Sequence, residues 1–276
     1  MFFRSINNFL LLLTLFFGSF SNDIISIEYK PDAFRSVGIS QNILHKVNTD
    51  ISFINQDGIE VSLNSYIGKG RSTVLNFIYF SCPMLCNLVL TGLTQTLNEG
   101  DFNIGEDFNI ITISIHPGDS SQNARSFRNK YLSMLGRSPD SELDWHFLTG
   151  NQDAISEITS QVGFLYKYIP ETEDYSHPSV QIILSPEGRI VRYLNGLQYP
   201  ALDLKLALLE SKEASGISTV ERAILFCYNY DPDANSYVLY AMNLMRLAGA
   251  LTFIMIMIFI TVLKLKEKKA KKYYGK

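Results

Sequence analysis

The chain has 276 residues, a formal net charge of −3 and 46% hydrophobic residues. This length accommodates one good-sized domain together with targeting and anchoring segments. Because nucleic-acid-binding proteins normally carry a basic face, the slightly acidic balance argues against general nucleic-acid binding. The positive charges are also unevenly distributed, since lysines crowd the end of the chain: Lys264, Lys266, Lys268, Lys269, Lys271, Lys272 and Lys276. The remainder of the chain is therefore distinctly acidic.

The N-terminus has the pattern of a secretory signal. Arg4 supplies a positive charge, residues 9–17 form an apolar run, and Ser19 and Ser21 are small residues suited to cleavage. The apolar run is too short to span a bilayer, which requires about 20 apolar residues. We therefore predict a signal peptide over 1–21, with an uncleaved N-terminal anchor as the alternative.

The C-terminal segment has the pattern of a transmembrane anchor. Residues 247–263 carry no charge, and Arg246 precedes them at a position from which its long side chain would reach the lipid headgroups. Because positive flanks stay on the cytoplasmic side, the lysines predict a cytoplasmic tail over 266–276. A buried core helix is the alternative, but such a helix rarely ends in a lysine cluster. We predict a single-pass inner-membrane anchor over 237–265, with the domain in the periplasm or an equivalent outer compartment.

Between the two ends, the pattern predicts a lead-in segment over 22–48, a folded domain over 49–213 and a juxtamembrane linker over 214–236. Residues 51–63 carry a hairpin signal, because apolar runs flank a polar turn that ends in glycine. Residues 73–81 (TVLNFIYFS) form a run of the kind expected for a strand buried on both faces.

A helix is expected directly after this strand. Cys82 and Pro83 follow the strand, and the helical pattern ends near Gly100. Proline is favoured in the first turn of a helix, where its missing N–H would have had no partner. The sequence therefore places Cys82 at the helix N-terminus and Cys86 one turn further along the same face.

The rest of the domain alternates between strands and helices. We predict strands over 108–115, 145–148 and 163–169, and helices over 123–135 and 152–162. Residues 180–184 and 189–194 flank Pro186-Glu187-Gly188 as a hairpin, and 202–209 forms a closing helix. This order of elements predicts an α/β protein with a thioredoxin-like fold and a C-terminal transmembrane helix.

Cys82 and Cys86 are the residues with the most distinctive chemistry. A helix N-terminus lowers the pKa of a thiol, which suits both nucleophilic attack and metal ligation. Dithiol oxidoreductases of the thioredoxin type usually have two residues between their cysteines, whereas this chain has three. Soft thiolates favour Cu(I), and a third, nitrogen ligand would allow Cu(II) as well. The spacing alone leaves open a redox pair, a metal site, or two cysteines packed as small apolar residues.

His177 is the candidate third ligand. In a thioredoxin-like layout, the loop before the hairpin lies beside the N-terminus of the cysteine-bearing helix. His177 and Pro178 occupy that loop, so we expect His177 to bind a metal together with Cys82 and Cys86. An exposed loop histidine is the alternative. We also hypothesise that Pro178 follows a cis peptide bond, as prolines in tight turns can.

Four segments resemble motifs of the SCO/SenC family: YFSCPMLCNLVL, WHFLTG, SHPSVQIILSPEGRIVRYLNG and CYNYDP. The resemblance runs from about Val37 to the C-terminal anchor. It implies a thioredoxin fold that binds copper through two cysteines and one histidine, which are Cys82, Cys86 and His177 here. It also implies that the protein delivers copper to the binuclear copper site of cytochrome c oxidase, or reduces the cysteines of that site.

One position departs from the family pattern. Where the family usually has an aspartate after the second buried strand, this chain has His116. Because adjacent parallel strands end at the same edge of a sheet, His116 should lie near the Cys82 helix. It could support a ligand by hydrogen bonding, act as an occasional fourth ligand, or be a surface replacement. We predict packing for Cys227, a structural role for His146 and solvent exposure for His45.

The sequence therefore predicts a membrane-anchored copper metallochaperone whose partner is the copper-site subunit of cytochrome c oxidase or another copper protein. The main alternative is a thiol–disulfide oxidoreductase in which Cys82 and Cys86 cycle between dithiol and disulfide. A copper or redox sensor is a third possibility. Nothing in the sequence favours a nucleic-acid partner.

Overall fold

The computed structural model describes residues 36–81, 85–138, 143–213, 217–231, 234–239 and 241–274. The predicted signal peptide over 1–21 lies outside the described residues, and so does Cys82. The strands are β1 (Gly38–Ile39), β2 (Ser52–Asn55), β3 (Glu60–Ser62), β4 (Ser72–Ile78), β5 (Phe108–Ser114), β6 (Trp145–Thr149), β7 (Phe164–Leu165), β8 (Lys167–Ile169), β9 (Asp174–Ser176), β10 (Val180–Leu184), β11 (Ile190–Asn195), β12 (Tyr228–Asp231) and β13 (Ser236–Leu239). The helices are α1 (Leu85–Glu99), α2 (Ser121–Met134), α3 (Gln152–Gln161), α4 (Ala201–Lys212), α5 (Thr219–Cys227) and α6 (Ala241–Tyr274).

A seven-stranded mixed sheet forms the centre of the domain, in the order β11-β10-β4-β5-β6-β2-β3. β4, β5 and β6 are parallel, and the other neighbours are antiparallel. Every residue of β4 and β5 is buried, as the apolar runs of these strands predict. Their register pairs Ile78 with Ser114, so the two strands end together at one edge of the sheet.

The helices cover this sheet and close the core. α4 packs against β10, β11 and α1, while α2 packs against β6 and α1. Gly92 of α1 lies so close to Leu197 that a Cβ atom there would be 1.7 Å from the Leu197 carbonyl oxygen. The absence of a side chain at Gly92 therefore permits close contact between α1 and the loop that precedes α4.

The predicted hairpin of the second half is confirmed. β10 pairs antiparallel with β11, and Gly188 in the turn has a φ of 79°, a conformation that favours glycine. The single strand predicted over 163–169 is instead divided between β7, which pairs with β1, and β8, which pairs with β9. A run of extended residues does not reveal that its two ends have different partners.

The segment predicted as a juxtamembrane linker over 214–236 is largely folded. It contains α5, β12 and the start of β13, and its side chains contact the domain. The Tyr230 hydroxyl donates to the Tyr193 carbonyl at 2.9 Å, and Asn235 Nδ2 donates to the Asn195 carbonyl at 2.7 Å. This part of the chain is thus attached to β11, at the edge of the central sheet.

Within the described part of the chain, α6 contains the one helical stretch long and apolar enough to cross a membrane. The stretch Ala248–Lys266 has 19 residues, a mean hydropathy of 2.3 and no buried residue. Its length of about 28 Å matches the hydrocarbon thickness of a bilayer. Membrane anchoring over 237–265 stays a prediction, as do the proposed segment boundaries.

His146 is a partly buried histidine on β6. Its ring stacks on the ring of Tyr66 with centroids 4.0 Å apart, and Nε2 lies 3.5 Å from Asp144 Oδ1. Burial lowers the pKa of His146 to about 4, although the nearby Asp144 carboxylate opposes this shift. The neutral ring is therefore part of the packing at neutral pH, in keeping with a structural role.

We expect His146 to make the fold sensitive to acid. Its pKa is lower in the folded than in the unfolded chain, so stability should fall as the pH decreases from about 6.5 towards 4. The His146→Phe variant should lose about 2 kcal/mol less stability than the wild type between about pH 7.5 and about pH 5. Urea unfolding followed by the fluorescence of Trp145, the single tryptophan, measures this difference.

The control is His45→Phe, because His45 is exposed in the folded chain. This variant should keep the pH dependence of the wild type. An identical acid response in His146→Phe and the wild type would contradict the prediction.

Candidate metal centre

The candidate centre lies at the edge where β4 and β5 end. Tyr79, Phe80 and Ser81 continue the chain from β4 towards Cys82, and Ile115 and His116 continue it from β5. The Ile115 N–H donates to the Ile78 carbonyl at 2.7 Å. This hydrogen bond holds the segment after β5 next to the end of β4. As predicted, residues that follow these strands are brought to one edge of the sheet.

A buried carboxylate connects the two chain segments. Asp119 Oδ2 accepts hydrogen bonds from the Phe80 N–H and from Ser114 Oγ, both at 2.6 Å. Phe80 stands two residues before Cys82, so Asp119 constrains the backbone that leads to the first cysteine. Sequence reasoning missed this residue. The available signal was an acidic side chain in the turn after a buried strand, directly before the N-cap Ser120 of α2.

His177 lies in the loop between β9 and β10, with its ring among aromatic side chains. The ring centroid is 6.1 Å from that of Tyr79 and 6.1 Å from that of Phe164. Burial lowers the pKa of His177, which favours the neutral imidazole at neutral pH. Nδ1 lies 3.0 Å from the Pro178 carbonyl oxygen. Because a carbonyl only accepts, Nδ1 carries the hydrogen, and the lone pair of the neutral ring is on Nε2.

The contact with Tyr79 brings His177 into the neighbourhood of the first cysteine. Cys82 is three residues after Tyr79, so their Cα atoms are separated by at most about 11 Å. Cys82 itself lies outside the described residues, and the structure describes Cys86 only as a backbone position in the first turn of α1. The described residues contain no group of three or more His, Cys, Asp or Glu side chains suited to a metal. The ligand set of Cys82, Cys86 and His177 therefore stays a prediction.

His116 belongs to the same aromatic cluster. Its Nδ1 lies 3.2 Å from the Tyr175 hydroxyl, and the two ring centroids are 5.4 Å apart. Tyr175 also contacts Tyr79, with a centroid distance of 5.4 Å, so one side chain links His116, two residues after β5, to Tyr79, directly after β4. This arrangement agrees with the expected proximity of His116 to the candidate centre. Its three possible roles, as a supporting residue, a fourth ligand or a surface replacement, stay open.

Two further residues of this cluster were not identified from the sequence. Tyr175 lines a cavity of about 740 Å³ together with Tyr166 and Tyr168. The Tyr79 hydroxyl donates to Asp174 Oδ1 at 2.9 Å and thereby connects the end of β4 to β9. Tyr79 and Phe164 thus place aromatic rings beside the ring of His177.

The hypothesis of a cis bond before Pro178 is wrong. The His177–Pro178 peptide bond is trans, as is every peptide bond between described residues. Trans is the isomer that X–Pro bonds ordinarily prefer. The loop from β9 to β10 therefore places His177 next to Tyr79 without a cis peptide bond. His45 is exposed as predicted, while the side chain of Cys227, the last residue of α5, lies outside the described part of the structure.

The fold and the position of this edge define a thioredoxin-like domain, with a candidate ligand-bearing helix after the first parallel strand. A family model for SCO1/SenC proteins matches residues 41–205. The chain therefore belongs to the SCO1/SenC family. No curated protein sequence matches the chain significantly.

Solved structures similar to this chain include the following three. A protein of Aquifex aeolicus, provisionally described as an electron transfer protein, is 25% identical with a TM-score of 0.54, over 62% of this chain and 95% of that one. Bradyrhizobium japonicum ScoI, determined with copper bound, is 25% identical with a TM-score of 0.44, over 58% and 98%. BsSco, described as a member of the Sco family of cytochrome c oxidase assembly proteins, is 25% identical with a TM-score of 0.48, over 65% and 99%.

We expect Asp119 to stabilise the segment that precedes Cys82. Asp119→Ala should lower the free energy of unfolding by about 1–3 kcal/mol, because the buried Phe80 N–H loses its acceptor. Asp119→Asn should cost less, since its amide oxygen can accept from Phe80 while its amide nitrogen donates to Ser114. Urea unfolding of the purified chain in detergent, followed by Trp145 fluorescence, measures both changes.

The matched control is Asp101→Ala, because Asp101 is an exposed loop carboxylate. This control should change stability by less than about 0.5 kcal/mol. Equal losses for the alanine variants at 101 and 119 would show that the two hydrogen bonds of Asp119 do not stabilise the fold.

Proposed function

We propose that the protein is a membrane-anchored copper metallochaperone that delivers copper to the binuclear copper site of cytochrome c oxidase. Cys82 and Cys86 would bind Cu(I) as thiolates, and His177 would complete the site through Nε2. The observation that carries the proposal is the contact of His177 with Tyr79, because Tyr79 stands three residues before Cys82. Membership of a family whose solved structures include copper-bound forms supports the choice of metal.

The chemistry of the available donors fits copper. Thiolate is a soft ligand that favours Cu(I), while imidazole also suits Cu(II). The hydrogen bond of Nδ1 to the Pro178 carbonyl leaves Nε2 of His177 as the atom with a lone pair. Asp119 would support the site indirectly, because it constrains the backbone that leads to Cys82.

The proposed topology places the metal centre outside the cytoplasm. Ala248–Lys266 has the length and apolarity of a single membrane span, and lysines follow it to the end of the chain. Positive residues favour the cytoplasmic side, so the domain before α6 would lie in the periplasm or an equivalent compartment. The copper-site subunit of the oxidase, or another copper protein, would receive the metal there by exchange of ligands.

Metal analysis of the purified chain tests the ligand set. After reduction and Cu(I) loading, the wild type should retain about one equivalent of copper, as expected for a single site with two thiolates and one imidazole. Cys82→Ser, Cys86→Ser and His177→Ala should each lose most of it. The chain provides matched controls, since Cys227→Ser and His45→Ala remove the same kinds of side chain elsewhere and should retain copper.

The same variants separate copper transfer from thiol chemistry. If His177→Ala retains copper like its His45→Ala control, the proposed ligand set is wrong. If His177→Ala loses copper but cells carrying it still load the oxidase copper site, while the cysteine variants do not, a thiol–disulfide oxidoreductase becomes the better assignment. Normal oxidase assembly in cells that lack the protein would favour a sensor.

A further inference from the structure

Helix α5 presents exposed apolar side chains immediately before the proposed membrane anchor. Val220 is 70% exposed, Ile224 38% and Phe226 46%. Val220 and Ile224 are one helical turn apart and therefore lie on the same face, whereas Phe226 lies on the opposite side of the helix. Leu239, at the end of β13, is 54% exposed. Large apolar groups concentrated in one short stretch indicate a surface that contacts something other than bulk water.

α5 is connected to the beginning of α6. Asn243 Nδ2 donates to the Phe226 carbonyl at 2.8 Å, and the two helices pack against each other. The hairpin of β12 and β13 spans the sequence between them and pairs Tyr228 with Leu239. We call α5, this hairpin and the first turn of α6 the juxtamembrane unit. Its helix begins with a capping box, in which Ser218 and Glu221 satisfy each other's backbone N–H groups.

The juxtamembrane unit is also fixed to the domain. The Tyr230 hydroxyl donates to the Tyr193 carbonyl of β11, and the Tyr237 hydroxyl donates to Glu210 Oε2 of α4 at 2.5 Å. Arg192 of β11 pairs with the same Glu210 carboxylate and lies over the ring of Tyr230, 4.9 Å from its centroid. These interactions therefore attach the juxtamembrane unit, which includes α5, to the edge of the central sheet.

The depth of α5 follows from the geometry of α6. Asn243 precedes Ala248, the first residue of the apolar stretch, by five residues, which corresponds to about 7–8 Å along the helix axis. The headgroup layer on each side of the hydrocarbon core is about 5–8 Å thick. If Ala248–Lys266 crosses the core, the hydrogen bond from Asn243 places the Phe226 carbonyl at the level of the lipid headgroups.

The charge at the start of α6 suits the same environment. Arg246 is exposed, and its guanidinium group can pair with lipid phosphates while its stem packs on apolar surface. The combination of exposed aliphatic groups and an exposed arginine is typical of a helix that lies at the surface of a bilayer.

We propose that the exposed face of α5, together with Leu239, inserts into the headgroup region of the bilayer that α6 crosses. The inference rests on the proposed membrane anchor and adds a second contact with the same membrane. Two contacts restrict the rotation of the domain about the axis of α6 and its distance from the lipid. The candidate metal centre is then held at a constant height above the membrane.

Quenching of tryptophan fluorescence by brominated lipids tests this contact in the full chain. Single variants are reconstituted in phosphatidylcholine vesicles with or without bromine on the acyl chains, and Trp145 supplies the same background in each. Ile224→Trp reports on the exposed face of α5 and Phe253→Trp on the proposed span. Ile59→Trp is the control, because Ile59 is exposed in the turn next to β3, at the sheet edge opposite β11.

The expected result is a loss of the added fluorescence in brominated vesicles for Ile224→Trp and Phe253→Trp, but not for Ile59→Trp. Addition of Val220→Glu should reduce the loss for Ile224→Trp and leave the loss for Phe253→Trp unchanged. Quenching of Phe253→Trp without quenching of Ile224→Trp would overturn the inference and leave the anchor intact. Failure to quench Phe253→Trp would overturn the anchor itself, and equal quenching at Ile59→Trp would indicate nonspecific adsorption.

Discussion

The carboxylate of Asp119 is the contact on which the arrangement of the candidate centre depends. By accepting from the Phe80 N–H and from Ser114 Oγ, it joins the chain leaving β4 to the chain leaving β5 inside the protein. A carboxylate that is buried must be hydrogen-bonded, and both donors here belong to the strand ends that carry the functional residues. The backbone at Phe80, two residues before Cys82, is thereby held by a hydrogen bond from the core.

His177 is far from β4 in the sequence but lies near this edge, because its ring packs against aromatic side chains there. Tyr79 contacts the rings of both His177 and Tyr175, and its hydroxyl bonds to Asp174 at the start of β9. Burial keeps the imidazole neutral, and the Pro178 carbonyl determines which nitrogen carries the hydrogen. The loop therefore presents a neutral imidazole, as the proposed ligation requires, and His116 joins the same cluster through Tyr175.

The C-terminal part of the chain relates the domain to the proposed membrane. Contacts of Tyr230 and Tyr237 attach the juxtamembrane unit to β11 and α4, and Asn243 attaches the same unit to α6. The central sheet and the apolar helix are thus connected through side-chain hydrogen bonds as well as through the backbone. A flexible tether would allow the candidate centre a range of heights above the proposed membrane, whereas this connection favours a defined position.

The sequence by itself determined the elements whose signals are local. The apolar runs predict the buried strands β4 and β5, the turn at Gly188 predicts the hairpin of β10 and β11, and the uncharged stretch before the terminal lysines predicts a span. Only the tertiary structure determined which donors Asp119 binds and which rings pack around Tyr175. It also determined that the peptide bond before Pro178 is trans and that β7 and β8 pair with different strands. These features depend on which distant groups meet when the sheet forms. A hydrogen bond or ring contact between residues far apart in the chain leaves no periodicity or spacing to read.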